Sequence, residues 1–419
     1  MLVLVPQDFM KSDYGNNKHA LKIMSLVVCG SLKHCIDYRN AKELSGKPSN
    51  ADSLLGSWSN IDAKTFKAIA SDYHQTCVNL ERDGWIEVNR HADGKRRYSN
   101  YRDNKFPQSF RLQSNWRSNP LTLCNVKQRQ NKKIFDRGEV GTDGGELNGE
   151  YLTAENFLDS FRLPEDRVDD LNAACELCSW PDQQRYQITQ ISGRSWWSSV
   201  DDYGRYHSPF TNLSKNIRKY LVCNGECVIG FDFANFQPAL LTRQTIKTIP
   251  DSEYQKYYSL CSRGEIYEYM AQQCPHYDSR DEAKTDFLAM LNKKNQFMIQ
   301  MELFKTFQLS FPSYADTVLK IKEDSHLEMT KFLQWHETKI MFGGIVRALR
   351  TKSESPFFTV HDAIYTPISQ RNILKDVLKK IIIDYDIPTI GREENEHTTT
   401  THPPINEGIE NTNDYCSAC

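Results

Sequence analysis

Apolar residues near the start of the chain recur at helical intervals. Five of them follow one another three or four positions apart: Phe66, Ile69, Tyr73, Cys77 and Leu80. This spacing places them on one face of an amphipathic helix and predicts a helix over residues 63–85 that ends at an Asp-Gly pair. Apolar and polar residues then alternate around a Gly-containing turn in residues 85–112, which predicts a hairpin.

A helix followed by a basic hairpin is the outline of a winged-helix module, with the hairpin as the wing. Many structural α+β units share this outline, so a DNA contact and a scaffold role both stay open. Residues 94–105 and 127–133 are rich in Lys and Arg, and each is either a local nucleic-acid contact or a solvated face. We predict a winged-helix-like α+β domain over residues 1–115.

Two apolar runs farther along the chain are each interrupted by an aspartate. In "CVIGFDFANFQPALL" (227–241) the pattern predicts a strand ending at Asp232, followed by a helix with Pro238 near its first turn. In "FFTVHDAIYT" (357–366) Asp362 marks a hairpin turn. Two strand-end carboxylates are what two-metal phosphoryl chemistry requires, if the fold brings them together.

Two segments between and before these runs carry cations. Arg280 and Lys284 lie four residues apart on a predicted helix, where they either meet a polyanion such as a triphosphate or form a solvated face. Residues 201–221 combine a central glycine with Arg, Lys, Asn and Tyr, a mixture suited to phosphates and bases. Lys215 and Arg218 in this segment are candidate backbone-phosphate contacts.

Composition restricts the class of protein. The chain has 419 residues, of which 39% are apolar and 25% charged, as in a soluble globular protein of two or three domains. Its formal charge of −2 shows no overall basic excess, so any nucleic acid would be held by local patches. The initial apolar run is short and interrupted by Pro6 and Asp8, unlike a signal peptide. We therefore expect a cytoplasmic protein without a membrane partner.

Twelve cysteines raise the question of a zinc site. Two pairs have the spacing of zinc ligands, Cys175 with Cys178 and Cys416 with Cys419. The pairs are far apart in sequence, so reduced and partly buried thiols are the competing interpretation.

These segments resemble, in chain order, the polymerases of the DNA polymerase I type (family A) and the related single-subunit phage and mitochondrial RNA polymerases. "VHDAIY" resembles their last palm motif, and "GFDFANFQPALL" resembles their first. "DDYGRYHSPFTNL" is similar to the segment before the first motif. "SRGEIYEYMAQQ" resembles the entry to the fingers, and "KFLQWHETKIMFGGIVRAL" resembles the helix preceding the last motif. The resemblance covers roughly residues 185–385.

The resemblance implies an α+β fold: a right-hand polymerase palm with an antiparallel sheet and helical fingers over residues 185–390. Residues 116–184 would then be a linker or a thumb-like helical region. Residues 391–419 are polar and nearly free of apolar side chains, which predicts a disordered tail.

The resemblance also implies roles for particular residues. Asp232 and Asp362 would hold two Mg²⁺ ions, with Mn²⁺ as an alternative, and Phe233 would join the metal site. His361 would contact the primer-terminal phosphate. The other implied contacts are Arg280 and Lys284 with the triphosphate, Arg205 with template or nucleotide, Gln237 with the sugar, and Gln334 and Glu337 on the helix facing the site.

This chain departs from the family in the fingers and at the sugar. Leu288, Asn292 and Lys293 stand where the family has an aromatic residue, Tyr and Gly, and Gln237 stands where the DNA-synthesising members have Glu. We favour a compact DNA polymerase without a proofreading exonuclease, encoded by a phage or mobile element. An RNA-synthesising polymerase or primase, or a catalytically degenerate DNA-binding replication protein, are the alternatives. Expected partners are primer/template, nucleoside triphosphates and, as candidates, replication accessory proteins.

Overall fold

The computed structural model describes most of the chain. The described residues are 1–44, 55, 57–61, 63–69, 73–90, 108–126, 149–194, 198–245 and 249–394. Both basic patches, the pair Cys416 and Cys419, and the predicted tail from residue 395 onward lie outside them.

Helices account for most of the regular structure in these ranges. The α-helices are α1 (Gln7–Lys11), α2 (Lys18–Leu44), α3 (Ala63–Ile69), α4 (Tyr73–Arg82), α5 (Gly149–Leu158), α6 (Val168–Glu176), α7 (Pro181–Gly193), α8 (Lys215–Arg218), α9 (Phe236–Thr245), α10 (Asp251–Ser262), α11 (Ile266–Gln273), α12 (Arg280–Asn292), α13 (Asn295–Met298), α14 (Glu302–Ser310), α15 (Pro312–Ile321), α16 (Leu327–Ile340), α17 (Arg347–Lys352) and α18 (Arg371–Asp384). Met341–Val346 forms a π-helix between α16 and α17. None of the helices in the described ranges is long and apolar enough to cross a membrane.

The strands pair in antiparallel fashion. They are β1 (Leu2–Pro6), β2 (Ser59–Ile61), β3 (Ile86–Val88), β4 (Gln108–Leu112), β5 (Leu121–Asn125), β6 (Phe161–Arg162), β7 (Ser199–Val200), β8 (Tyr206–His207), β9 (Val222–Cys223), β10 (Glu226–Phe233), β11 (Phe358–Val360), β12 (Ala363–Pro367) and β13 (Gly391–Glu393). The protein is thus a mixed fold of helices and antiparallel sheets.

Contacts divide the chain into two compact units. Unit 1 comprises residues 1–141, 162–198 and 208–221, and unit 2 comprises residues 142–161, 199–207 and 222–419. Because each unit is assembled from separated segments, its members meet only in the folded chain. The sequence-based boundaries at 115, 184 and 390 remain predictions.

Unit 1 contains two small sheets. The wholly buried strand β1 pairs with β5, with Leu4 opposite Leu123. A second sheet has the strand order β2-β4-β3. Along the chain, α2 comes before β2, and α3 and α4 lie between β2 and β3. Strands β3 and β4 form the predicted hairpin, with Ile86 opposite Leu112, while the residues joining them lie outside the described ranges.

The predicted helix over residues 63–85 corresponds to α3 and α4, and residues 70–72 between them lie outside the described ranges. Both helices turn an apolar face to the same core. The ring of Phe66 on α3 stacks on Tyr73 of α4 with centroids 5.2 Å apart. The apolar spacing of three and four residues thus predicts the inward face of both α3 and α4.

Unit 2 is built around the long strand β10. In the sheet order β11-β12-β10-β9-β6, β10 is central, and β13 also pairs with it. Residues 391–393 therefore belong to this sheet, whereas we had predicted that the disordered polar tail begins at residue 391. Their polar sequence carries no strand pattern, and the backbone partner that orders them is β10, far upstream in the chain.

Helices α10 to α15 enclose an aromatic core in unit 2. The ring of Tyr257 stacks on Tyr314 at 4.0 Å and meets Phe311 edge-on at 5.1 Å, and Phe287 of α12 meets Phe307 edge-on at 5.5 Å. Such pairs add to the hydrophobic stabilisation of the area they bury. This core holds α12, which carries Arg280 and Lys284, on a rigid base.

A close contact inside the sheet generates a stability prediction. A methyl group at Gly230 of β10 would lie 2.4 Å from the Tyr365 ring on β12. We expect Gly230→Ala to lower the free energy of unfolding by roughly 1–3 kcal/mol through overpacking. Gly343→Ala is the matched control because nothing lies within 4 Å of its added methyl. Urea denaturation measures both, and equal effects would contradict the prediction.

The buried amine of Lys322 generates a second prediction. Its Nζ donates to the Met290 carbonyl at 2.9 Å, and burial lowers its pKa to about 8. The unfolded chain keeps a pKa near 10.4, so it binds more protons than the native state between these values. The free energy of unfolding should therefore rise as pH increases from about 8 to about 10, by at most roughly 3 kcal/mol.

Lys322→Met preserves much of the buried stem and removes the titrating amine. We expect the rise of stability with pH to be smaller in this variant than in the wild-type protein. Urea denaturation at several alkaline pH values measures the difference, and parallel pH dependences would show that Lys322 does not titrate as stated.

Candidate active site

Asp232 is the next-to-last residue of β10, between two buried phenylalanines. The register pairs Phe231 with Ile364 of β12 on one side and Asp232 with Arg392 of β13 on the other. Continuing the β12 register by one residue brings Asp232 level with Ala363, directly after Asp362. Neighbouring strands are about 4.8 Å apart, so the two aspartates lie at the same edge of the sheet.

Asp362 occupies the second position of a two-residue hairpin turn. Val360 pairs with Ala363, which leaves His361 and Asp362 as the turn residues. His361 adopts a left-handed φ of +53°, a conformation that is uncommon outside glycine and costs energy. Its side chain is exposed, and its ring lies 6.1 Å from that of His207. The turn thus presents one carboxylate and one imidazole together.

Burial and like charges perturb both aspartates. Burial, followed by the charges of Glu337 and Asp232, raises the pKa of Asp362 to about 7. Burial and then the charge of Glu394 raise the pKa of Asp232, while Lys284 and Arg392 lower it. A cation placed between the aspartates would relieve this repulsion and keep both ionised.

A buried ion pair lies beside the turn. Arg205 Nη2 donates to Glu337 Oε2 at 2.7 Å, and the two side chains are 16% and 3% exposed. Burial raises the pKa of Glu337 above its ordinary value. The charge of Arg205 and the side-chain amide of Gln237 act in the opposite direction and offset part of this rise. Arg205 and Glu337 line a small cavity together with His361.

The pair has unused hydrogen-bonding atoms. Within the described residues, Nε of Arg205, Oε1 of Glu337 and Oε1 of Gln334 are buried without a hydrogen-bond partner. Buried polar groups of this kind are usually satisfied by water, ion or ligand. Gln334 and Glu337 are one helical turn apart on α16, as the predicted site-facing pair requires.

The cations of α12 differ in their surroundings. Arg280, at the first position of the helix, binds Glu268 at 2.7 Å and Asp281 at 3.2 Å and lies over the ring of Tyr267. Lys284 is exposed and forms no ion pair in the described part of the chain, although its charge reaches Asp232. Lys284 is therefore the more available cation for an anionic ligand.

Of three further predicted residues, one could act only through its backbone, and the other two lie in unit 1. Phe233 is buried and its ring stacks on Phe236 at 4.6 Å, so only its backbone carbonyl could serve a metal. Lys215 and Arg218 lie on α8 in unit 1, whereas the other predicted site residues lie in unit 2. Arg218 donates to the Leu213 carbonyl.

The donor set fits a hard divalent cation that keeps water and substrate ligands. No group of three or more Asp, Glu, His or Cys side chains in the described ranges is arranged to hold a metal. Mg²⁺, however, usually takes one or two carboxylates from a protein and completes its shell with waters and phosphates. The partly buried carboxylates of Asp232 and Asp362 meet that requirement.

Two residues beside Asp232 were missed by the sequence reasoning. Arg392 and Glu394 stand in the segment assigned to the polar tail, yet their charges act on Asp232. Tyr365 donates to Glu394 at 2.5 Å. No local pattern could have found them, because their strand is defined by pairing with β10.

The cysteines of the first pair are not poised as metal ligands. Burial raises the pKa of Cys175 to about 12, so the thiol is protonated at neutral pH, and Cys178 donates to the Ala174 carbonyl. The second pair lies outside the described residues, so the four-cysteine site remains a prediction.

Comparisons with known proteins find remote likeness to solved structures only. No protein-family model matches the sequence, and no curated protein is significantly similar to it. Among solved structures, the chain is similar to the POL domain of Pol1 from M. smegmatis in complex with DNA primer-template and dNTP, with a TM-score of 0.38 and 10% identity. The match covers 55% of this chain and 51% of that one. The function proposed below rests on the site and not on this likeness.

The raised pKa of Asp362 predicts that ionising this carboxyl lowers the stability of the folded protein. The pKa is about 7 in the folded protein and about 3.9 in an unfolded chain, so the native state binds more protons between these values. The free energy of unfolding of the metal-free protein should therefore fall as pH rises from about 4 to about 7.

Asp362→Asn removes this titration. We expect a higher free energy of unfolding than wild type in metal-free buffer at about pH 8, by at most roughly 4 kcal/mol, and a flatter pH dependence. Asp376→Asn, at an exposed position of α18, is the control and should behave as wild type. Urea denaturation across this pH range decides; a wild-type pH dependence in Asp362→Asn would refute the assignment.

Proposed function

We propose that the protein is a template-directed nucleotidyltransferase, a compact family A-like DNA polymerase without a proofreading exonuclease. The observation that carries the proposal is the pair Asp232 and Asp362, near the end of β10 and in the turn before the neighbouring strand β12, where the charge of Asp232 raises the pKa of Asp362. The exposed Lys284 beside them supplies the complementary charge. The motifs occur in the family's order along the chain.

The proposal assigns parts of a polymerase to the two units. The sheet around β10 would be the palm, and helices α10 to α15 with their aromatic core would be the fingers. In unit 1, the chain order α2, β2, α3, α4, β3, β4 and the sheet order β2-β4-β3 are compatible with a winged-helix module. Its contact with DNA would depend on the basic residues 94–105 between β3 and β4, which lie outside the described ranges.

The aspartates would hold the metal that the chemistry needs. When bound, Mg²⁺ or Mn²⁺ lowers the pKa of the primer 3′-hydroxyl and neutralises charge on the leaving pyrophosphate. Asp232 and Asp362, with the carbonyl of Phe233, would be its protein ligands. Lys284, and Arg280 once released from Glu268, would attract the β and γ phosphates and orient them for attack.

The ion pair beside the turn would position the nucleic acid. Arg205 donates only part of its fork to Glu337, and its buried Nε is available to a template or nucleotide acceptor. His361, exposed at the turn, would contact the primer-terminal phosphate. Gln237 lies beside Glu337 and would crowd the ribose 2′ position without adding a charge. DNA synthesis is therefore favoured over RNA synthesis.

Primer extension tests the proposal directly. Wild-type protein with Mg²⁺, a primed DNA template and deoxynucleotides should extend the primer. Asp362→Ala and Asp362→Asn should lower the rate by about a thousandfold or more, because the pair of carboxylates can no longer share the metals. Asp376→Asn should extend as wild type does. Extension that survives Asp362→Ala would refute the metal assignment.

Further reactions separate the alternatives. Synthesis from four ribonucleotides on unprimed single-stranded DNA would identify an RNA polymerase or primase. DNA binding at low salt without incorporation of either nucleotide class would identify a non-catalytic replication protein.

A further inference from the structure

Strand β13 brings an arginine to the carboxylate edge of the sheet in unit 2. Arg392 pairs in register with Asp232, so the two residues are neighbours across the β10–β13 ladder. Side chains alternate along a strand, and the next residue, Glu393, is buried and binds Arg371 and Lys375. Arg392 is exposed instead. Glu393 of this strand is therefore buried in ion pairs, while Arg392 presents a positive charge beside Asp232.

The guanidinium of Arg392 occupies space left by a glycine. A methyl group at Gly264 would lie 2.4 Å from Nη2 of Arg392 and 3.3 Å from the methyl of Ala234. Gly264 has a φ of +73°, which any other residue would adopt only with strain. The turn after α10 is thus shaped so that the arginine can lie against the backbone next to the start of α9.

The positive charge of Arg392 lowers the pKa of Asp232. Arg392 forms no ion pair in the described ranges, and Lys284 on the other side of Asp232 likewise has none. By contrast, Arg280 is held by Glu268 and Asp281. Two cations without an ion pair in the described ranges flank one carboxylate, an arrangement that attracts a polyanion bound near the aspartate.

We propose that Arg392 and Lys284 together bind the triphosphate of the nucleotide substrate beside Asp232, and that Arg392 holds the β and γ phosphates until pyrophosphate leaves. This inference rests on the proposed function and names a cation outside the motifs that suggested it. Arginine suits the role because its planar fork can donate two hydrogen bonds to one phosphate group.

Binding of phosphate without turnover is the first test. Calorimetry with inorganic tripolyphosphate, dATP or adenosine, each with Mg²⁺ and without primer, measures affinity for the phosphates separately from the nucleoside. We expect Arg392→Gln and Lys284→Gln each to weaken tripolyphosphate and dATP by about tenfold to a hundredfold, as loss of a charge-assisted contact does. Adenosine binding should not change.

Matched variants guard against indirect effects. Arg392→Lys keeps the charge and should recover part of the affinity. Lys379→Gln removes one positive charge from an exposed position of α18 and should bind as wild type does. Equal thermal midpoints for Arg392→Gln and wild type would show that the fold is retained. Wild-type tripolyphosphate affinity in Arg392→Gln, or no tripolyphosphate binding by the wild-type protein, would overturn the proposal.

Primer extension then distinguishes the two hypotheses. If the wild-type protein extends primers, Arg392→Gln should raise the KM for deoxynucleotide about tenfold or more. An unchanged KM would reject the role of Arg392 while the polymerase assignment stands. If no variant extends a primer but tripolyphosphate binding still requires Arg392, the polymerase assignment fails and the phosphate site stands.

Discussion

Asp232 and Asp362 are the pair of carboxylates around which unit 2 is organised, and burial, the charge of Glu337 and then that of Asp232 raise the pKa of Asp362. The register of β10 with β12 fixes the two carboxylates at one sheet edge, and partial burial keeps water from screening them. A protein selected for stability alone would not retain such a pair, because one raised pKa already indicates an uncompensated charge. The unfavourable interaction is sustained by the sheet and by the aromatic core beneath α12.

Three features surround this pair and each offsets part of its cost. Gly230 lets the ring of Tyr365 pack flat against β10. Strand β13 closes the free edge of β10 and adds Arg392 next to Asp232. The ion pair of Arg205 with Glu337 neutralises a third carboxylate whose charge would otherwise act fully on Asp362. Together they make an acidic site that is stable when empty and improved by a cation.

Cations around the site fall into two groups with different physical roles. Arg205 and Arg280 are bound to carboxylates, so a ligand must compete with an existing partner before it gains their full charge. Lys284 and Arg392 have no such partner in the described chain and can meet an anion at once. Lys284 and Arg392 would therefore attract an incoming triphosphate first. Specificity would come from the ligand replacing the carboxylate partners of Arg205 and Arg280.

The sequence alone determined the elements that local chemistry encodes. An aspartate at the end of an apolar run indicated a strand-end or turn carboxylate in both motifs, and the cations at helical spacing indicated one face of α12. Only the tertiary structure decided which carboxylates meet and that Arg392 belongs to the sheet. Strand pairing depends on backbone hydrogen bonds between distant segments, and these leave no trace in the local pattern of side chains.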